Sequence, residues 1–491
     1  MNNQNFFLLN QNFSLFLILL VSVIFAIIGI NYSKKYRGLN NYLIANRSVN
    51  VISLSTSLIV SALGAWILFG PASAATWGGI GSVIGYSLGT AFPMLALIYL
   101  GTKLRKIFSK GISLTEFIRI KFGTNLFKLI TFLTIFYMFI FLCAEVTGIS
   151  ILVKYVSNTP LWITASIVII TTLSYTLYGG LKVSIFTDSI QFFIIILFLL
   201  ISINYIFLFT DNNFSFDIIR KNAPHLINSK YIPNYTSGLT FFIAVAATNL
   251  FHQGNWQRVF SAKNEKVLKK SLLISFIVII PIVFFMGFSG LVAISQNSNV
   301  NPDLAFFSIL LKNNSEIISV AVIVLALSLT ISTLDTLVNA ISSIFIINGK
   351  NLLKKRYKID YLKLSKYLMI FLCIITFFIA SKGFSILYLF LLADLLCCSA
   401  VFTVFYSFYS KKINSKTAML SILLGLFFGL MLFPSPDFSK SILVGGLLSF
   451  DLFPEIISSS LLFCSFLLAT VVPVIVITNY DTIKKQPLKK R

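Results

Sequence analysis

An all-α polytopic membrane protein is the fold class this sequence predicts, on three observations. Hydrophobic residues make up 57% of the chain and charged residues only 11%, with 50 phenylalanines among 491 residues, a balance that no soluble globule carries. Apolar windows of roughly 20 residues, the length of a membrane-spanning helix, recur about thirteen times. The basic residues behind the net charge of +24 fall in short clusters between those windows. That spread is a topology signal, not the single basic patch that would bind nucleic acid.

Taken in order, the windows begin near residues 14, 51, 82, 127, 161, 184, 238, 271, 320, 367, 384, 418 and 457. The first, Ser14 to Tyr32, has no charge before it and no small-residue cleavage site after it, so it reads as a retained span and not a signal peptide. The second is interrupted by Gly64, Gly70 and Pro71. The fifth and sixth are separated only by a short polar turn around Gly179 and Gly180.

Of the 39 lysines and arginines, all but Lys154, Arg220, Lys221, Lys230, Lys312, Lys382 and Lys440 fall in alternate loops that begin with "YSKKYRG". This bias predicts the N-terminus outside, the C-terminus in the cytoplasm, and a bacterial-type inner membrane as the location. The long outer segments, about 210–238 and 295–316, read as loops with at most a short surface helix, since "DLAFFSILLKN" is too short to span. The tail "NYDTIKKQPLKKR" is expected to carry no soluble domain.

Chemistry concentrates in the ninth window, "LALSLTISTLDTLVNAISSIFII". On a helix, Ser328, Ser332, Asp335, Thr336, Asn339 and Ser343 share one face. A carboxylate at the centre of a span costs at least ~2.5 kcal/mol, so that face is expected to look onto protein or water. Two readings stand: a helix contact built from small hydroxyl residues, or an ion path. The Gly and Pro of the second window permit a broken helix whose freed carbonyls coordinate a cation and whose freed amides hold a polar solute; an ordinary kink is the simpler alternative.

Asp188 reads either as a first-turn helix cap after the Gly179–Gly180 turn or as an ion-exit residue. Trp256 and Arg258 read as an interfacial aromatic and an inner-face charge. Glu145, in "FLCAEVTGIS", needs a partner: a solute nitrogen, Lys154 or another helix. Trp66, beside the proposed break, is either packed or the floor of a pocket.

The five cysteines all lie within apolar runs with no ligand-type spacing, and the two histidines, His225 and His252, fall in an outer loop and near an inner helix end. With no phosphate loop, metal cluster or nucleophile elbow, no enzyme is expected.

Four segments in order, "SLTEFIRIKFG", "SYTLYGGLKVSIFTDSIQ", "NWQRVFSAKN" and "ISTLDT", together resemble the sodium:solute symporter family over roughly residues 50 to 400. The resemblance implies a LeuT-like core of two inverted five-helix repeats, about 51–210 and 238–409 within a core of 51–409. Residues 1–50 would add one helix before it, and 410–491 two helices after it. It implies sodium as the coupling ion, held by the carbonyls of Val60, Leu63 and Leu329 and the hydroxyls of Ser332 and Thr333. Asp188 and Asp335 would line the ion pathway, and Gly64, Trp66, Glu145 and Asn249 the solute site.

The implied activity is sodium-driven import, by alternating access, of a small polar organic solute such as an amino acid (proline, for example) or urea. The alternatives are a proton-coupled or sodium-independent transporter or channel of the same fold, or a transporter-like sensor. Ala62 stands where some family members carry an acid, so a solute cannot be copied from them. The implied partners are the solute, sodium and the lipid bilayer, with no nucleic acid; the sequence is silent on oligomeric state.

Overall fold

A computed structural model describes residues 8–483, apart from 37, 110, 210–214, 353–359, 411–412, 437, 439, 442 and 444–459. The basic tail beyond Ile483 lies outside the described residues, as do Lys354 and Lys355. The helices are α1 (Gln11–Ser33), α2 (Leu39–Ile44), α3 (Val51–Ala62), α4 (Gly70–Ile107), α5 (Leu114–Phe122), α6 (Thr124–Ser157), α7 (Leu161–Phe209) and α8 (Phe216–Asn222). They continue with α9 (Ile232–Phe251), α10 (Gln253–Ser261), α11 (Glu265–Gln296), α12 (Ala305–Leu310), α13 (Glu316–Leu352), α14 (Tyr361–Ala380), α15 (Ile386–Tyr406), α16 (Ser415–Leu432) and α17 (Leu461–Ile483).

Among the described residues ten of these helices are long and apolar enough to cross a membrane. The count rises to about thirteen crossings once three joins are read correctly. The continuous helical run α7 turns back at Gly180 and so holds two crossings. The run α4 turns at Gly79, so its first turns complete the crossing begun by α3 and its remainder is another; α9 adds the last.

Both reversals sit on a glycine for the same reason. Gly79 (φ 66°, ψ −161°) and Gly180 (φ 59°, ψ −161°) occupy a backbone region essentially closed to residues with a Cβ. A Cβ at Gly180 would also stand 2.5 Å from Tyr42, and one at Gly79 would meet the side chain of Asn234 and the carbonyl of Leu226.

Four helix N-termini on the basic side are capped by side chains: Asn50 accepts from the Ser53 amide, Ser113 from Glu116, Asn264 from Val267 and Asn414 from Thr417. The loops of the basic side also hold one another. Arg47 donates to the carbonyls of Ser109 (2.6 Å) and Gly111 (2.8 Å), Lys121 to that of Ser410 (2.7 Å), and Lys182 to the Ser48 hydroxyl (3.1 Å). Val49 pairs with the strand-like stretch after α10 through Val49 N to Ser261 O and Lys263 N to Val49 O.

Small residues let some helices approach backbone to backbone. Cβ atoms on Gly81, Gly85 and Gly89 of α4 would run into the carbonyls of Asn234, Gly238 and Phe241 on α9, and one on Gly290 of α11 into the carbonyl of Ala72. The outer segment differs from its expected surface helix. Phe306 and Phe307 of α12 are fully buried, and Phe307 lies 5.2 Å from Phe69, so the hydrophobic side of this short helix plugs into the bundle.

Candidate functional site

The helix α3 ends at Ala62, with the chain buried inside the bundle. Leu63 leaves helical geometry (φ −107°, ψ 73°) while its amide still bonds back to Ile59 and Val60, and Gly64 is extended. A 3-10 turn over Ala65–Leu68 follows, and α4 restarts at Gly70 with Pro71 in its first turn, where the missing N–H costs nothing.

The break frees two amides, and Glu145 of α6 takes both. Its carboxylate accepts from Ala65 N at 2.9 Å and Trp66 N at 3.4 Å, an anion at a helical N-terminus in an otherwise apolar setting. The sequence offered Lys154, another helix or a solute as partner; the partner here is the broken backbone itself. Gly64 is held in the same spot, since a Cβ there would collide with the Glu145 carboxylate and stand 2.8 Å from the Thr333 hydroxyl. That close approach brings the broken segment against α13.

On α13 the polar face is wholly buried, from Ser328 through Ser343. Its ends fold back on their own helix, Ser328 to the Val324 carbonyl and Ser343 to that of Ala340. Its middle reaches other helices. Ser332 donates to Asp188 at 2.6 Å, and Asp335 accepts from Tyr175 and Thr187, each at 3.1 Å. Thr333 donates to the Leu329 carbonyl at 3.1 Å.

Asp188 is not a helix cap. The second half of α7 begins at Gly180, so Asp188 lies two turns inside it and is fully buried. It accepts from Ser57 of α3, from Ser332, and from Arg258 at 2.7 Å, in an ion pair with both side chains at 0% exposure. Arg258 is likewise no inner-face charge. Its other donors go to Ser57 (2.8 Å), the Gly254 carbonyl (3.1 Å) and Thr336 (3.0 Å), so one guanidinium ties α3, α7, α10 and α13 together.

Trp256, expected in the interfacial belt, is also fully buried, donating to the Leu250 carbonyl at 2.8 Å and stacking on Phe405. Both misreadings share one cause. The seventh crossing breaks at His252, a second interruption the sequence reading missed, and α10 is an inner half-helix packed inside the bundle.

Next to the two breaks lies a cavity of about 30 Å³. Trp66 and Asn249 line it, together with Ala62, Thr333 and His252, whereas Gly64 and Glu145 stand behind its wall. The sequence reading passed over one further residue there: Asp394 of α15, buried, accepting from Thr248 at 2.7 Å. A lone acid in "LYLFLLADLLCC" was the available signal, because an ionisable residue inside a span needs a reason.

Comparison with known proteins agrees with this architecture. The spermidine transporter DUR31 of Candida albicans is 23% identical over 409 residues, covering 81% of this chain and 76% of the relative. A Na+-coupled sialic acid symporter, solved in a substrate-bound outward-open state, superposes with a TM-score of 0.71 at 16% identity, covering 96% of this chain and 98% of the other. Mhp1, a nucleobase-cation-symport-1 family transporter solved in a closed conformation, gives 0.54 at 14% identity over 90% and 95% of the two chains. The two solved structures show the LeuT-like fold. With the family profile matching residues 42–425, the chain belongs to the sodium:solute symporter family.

Proposed function

We propose that this protein is a sodium-coupled symporter that imports a small polar organic solute across a bacterial-type inner membrane, with its N-terminus outside and C-terminus in the cytoplasm. The repeats would be about 51–210 and 238–409, flanked by 1–50 and 410–491. The observation that carries the sodium reading is a charge imbalance. Two fully buried carboxylates, Asp188 and Asp335, share a junction with one guanidinium, Arg258. A single monovalent cation would balance it, and a buried charge without compensation is costly by several kcal/mol.

Oxygens suited to a hard cation surround that junction. The carbonyls of Val60, Leu63 and Leu329 and the hydroxyls of Ser332 and Thr333 form the candidate sodium set. Ser332 donates its proton to Asp188, which leaves its lone pairs for an ion.

Beside that set runs a file of buried polar groups on α2, α7 and α13: Ser184 facing Asp335, Ser342 facing Tyr42, and Asn339, whose two amide atoms have no hydrogen-bond partner. Tyr42 and Gly179 in turn line a cavity of about 620 Å³ on the basic side. This file supports an exit route for the ion past Asp335, with Asp188 at its head. One sodium moving down 100 mV supplies about 2.3 kcal/mol, roughly 50-fold accumulation of a neutral solute.

The cavity beside Trp66 and Asn249 is the candidate solute site, for an amino acid, urea or a similar molecule once it widens; the relative named for spermidine adds polyamines. Uptake into proteoliposomes with and without a sodium gradient tests the reading, using wild type and the double variant Ser332→Ala, Thr333→Ala. Sodium-driven uptake in the wild type is expected, with the half-saturating sodium concentration of the double variant raised at least about tenfold, the effect of one lost ~1.4 kcal/mol interaction. Unchanged sodium dependence in that variant would overturn the assignment.

A further inference from the structure

Asp394 has no role in the sodium scheme, yet it is placed where a solute would meet it. It lies in the middle of α15, 3% exposed, and borders the same small cavity as Trp66 and Asn249. It accepts a hydrogen bond from the Thr248 hydroxyl at 2.7 Å. None of the ion pairs among the described residues includes it. When ionised, this carboxylate would accept about four hydrogen bonds, most of that capacity free, and its charge would have no ion-pair partner among the described residues.

The walls around it are aromatic. Trp66 stacks on Tyr86 with ring centroids 5.8 Å apart, and Phe141 meets Phe390 edge to face at 4.7 Å; all four line the cavity. Aromatic faces attract cations, most strongly where water is excluded. No lysine or arginine lines the cavity, and Ala62 contributes no charge from the broken helix.

We infer that Asp394 and this aromatic wall form a recognition site for a protonated aliphatic amine, with the carboxylate taking the ammonium group. An ammonium brings a positive charge and up to three N–H donors, which is what the site lacks. A neutral solute leaves the charge uncompensated, and a carboxylate solute is repelled by it. At about 30 Å³ the cavity admits about one water-sized group, the size of an ammonium head. The inference rests on the symporter reading for its transport direction and energy source, but not for the binding chemistry.

The experiment uses the full chain in proteoliposomes with radiolabelled putrescine as the probe, with competition by butylamine, butanol and butyrate at equal concentration. Wild type is expected to show sodium-driven uptake, inhibited by butylamine and not by the other two. Asp394→Asn should raise half-saturating putrescine at least about 30-fold, the lower range for losing one partner of a buried charge pair. Asp394→Glu, which keeps the charge one methylene further out, should recover part of the loss. Sodium protection against heat inactivation, measured without amine, should stay within about twofold in both variants, because of the candidate sodium oxygens only the Thr333 hydroxyl borders the cavity and Asp394 is not among them.

Butanol or butyrate competing as well as butylamine in the wild type would overturn the inference without any variant. So would putrescine half-saturation within about twofold of wild type in Asp394→Asn. Equal loss of uptake for neutral and cationic solutes, with sodium protection intact, would make Asp394 a general coupling group and also overturn it. Amine uptake that needs Asp394 but ignores sodium would support the amine site and overturn only the symporter reading. Sodium-driven uptake of urea that ignores both amines and Asp394 would do the reverse.

Discussion

Removing Arg258 should expose the charge balance of the junction directly. In Arg258→Met, Asp188 keeps the hydroxyls of Ser57 and Ser332 but loses its only counter-ion, at a position where neither side chain of the pair meets solvent. Breaking such a pair from one side costs about 3–5 kcal/mol. For a chain of this length that is a fall of about 3–5 °C in the unfolding midpoint. Asp188→Asn should cost as much, because its amide NH2 would face the guanidinium across a distance of 2.7 Å.

The double change Asp188→Leu, Arg258→Met should cost less than the two single losses combined, since no uncompensated charge remains. Sodium sharpens the test. Arg258→Met leaves Asp188 and Asp335 both without a cation, so sodium at 100 times its dissociation constant should restore about 2.7 kcal/mol, whereas potassium should restore little. The assay is thermal unfolding of purified protein in detergent, followed by tryptophan fluorescence in each salt. Single variants as stable as wild type, or strictly additive losses in the double, would refute the pairing and the argument built on it.

Two other outcomes follow from the geometry. Gly64→Ala should insert normally but lose transport, because its new methyl displaces either the Glu145 carboxylate or the Thr333 hydroxyl; surface-labelled protein at wild-type abundance with full uptake would contradict the close approach. A cysteine at Lys182 should react only from the cytoplasm and one at Asn222 only from outside; reversed labelling would invert the topology and with it the direction of import.

Much of the architecture was legible because membrane spans announce themselves one at a time. Hydropathy windows placed the helix starts to within a few residues, and Gly64, Gly70 and Pro71 marked the break in the second crossing. What failed was depth. Asp188 read as a cap because it lies soon after a glycine turn, and only the fold shows that the helix had already made two turns by then. Arg258 and Trp256 read as interfacial because α10 is short, polar and beside a basic loop; nothing local in the chain says that α3, α13 and α15 close over it. Asp394 was missed because its surroundings come from α4, α6 and α9, each remote in sequence.

The glycine contacts between α4 and α9, and between α11 and the start of α4, bear on how such a molecule can move. Where backbone meets backbone there are no rotamers to rearrange and little compliance, so these helices must travel as one stiff body. Where α3 and α10 meet α7 and α13 the contact is built the other way, from hydroxyls, a carboxylate and one guanidinium whose bonds can be exchanged for others. A welded unit bearing on a lubricated one has its plane of slip decided in advance, and here that plane passes through Asp188 and Arg258. An ion that changes the balance of charge there acts at the joint itself, without any need to transmit strain through the bundle.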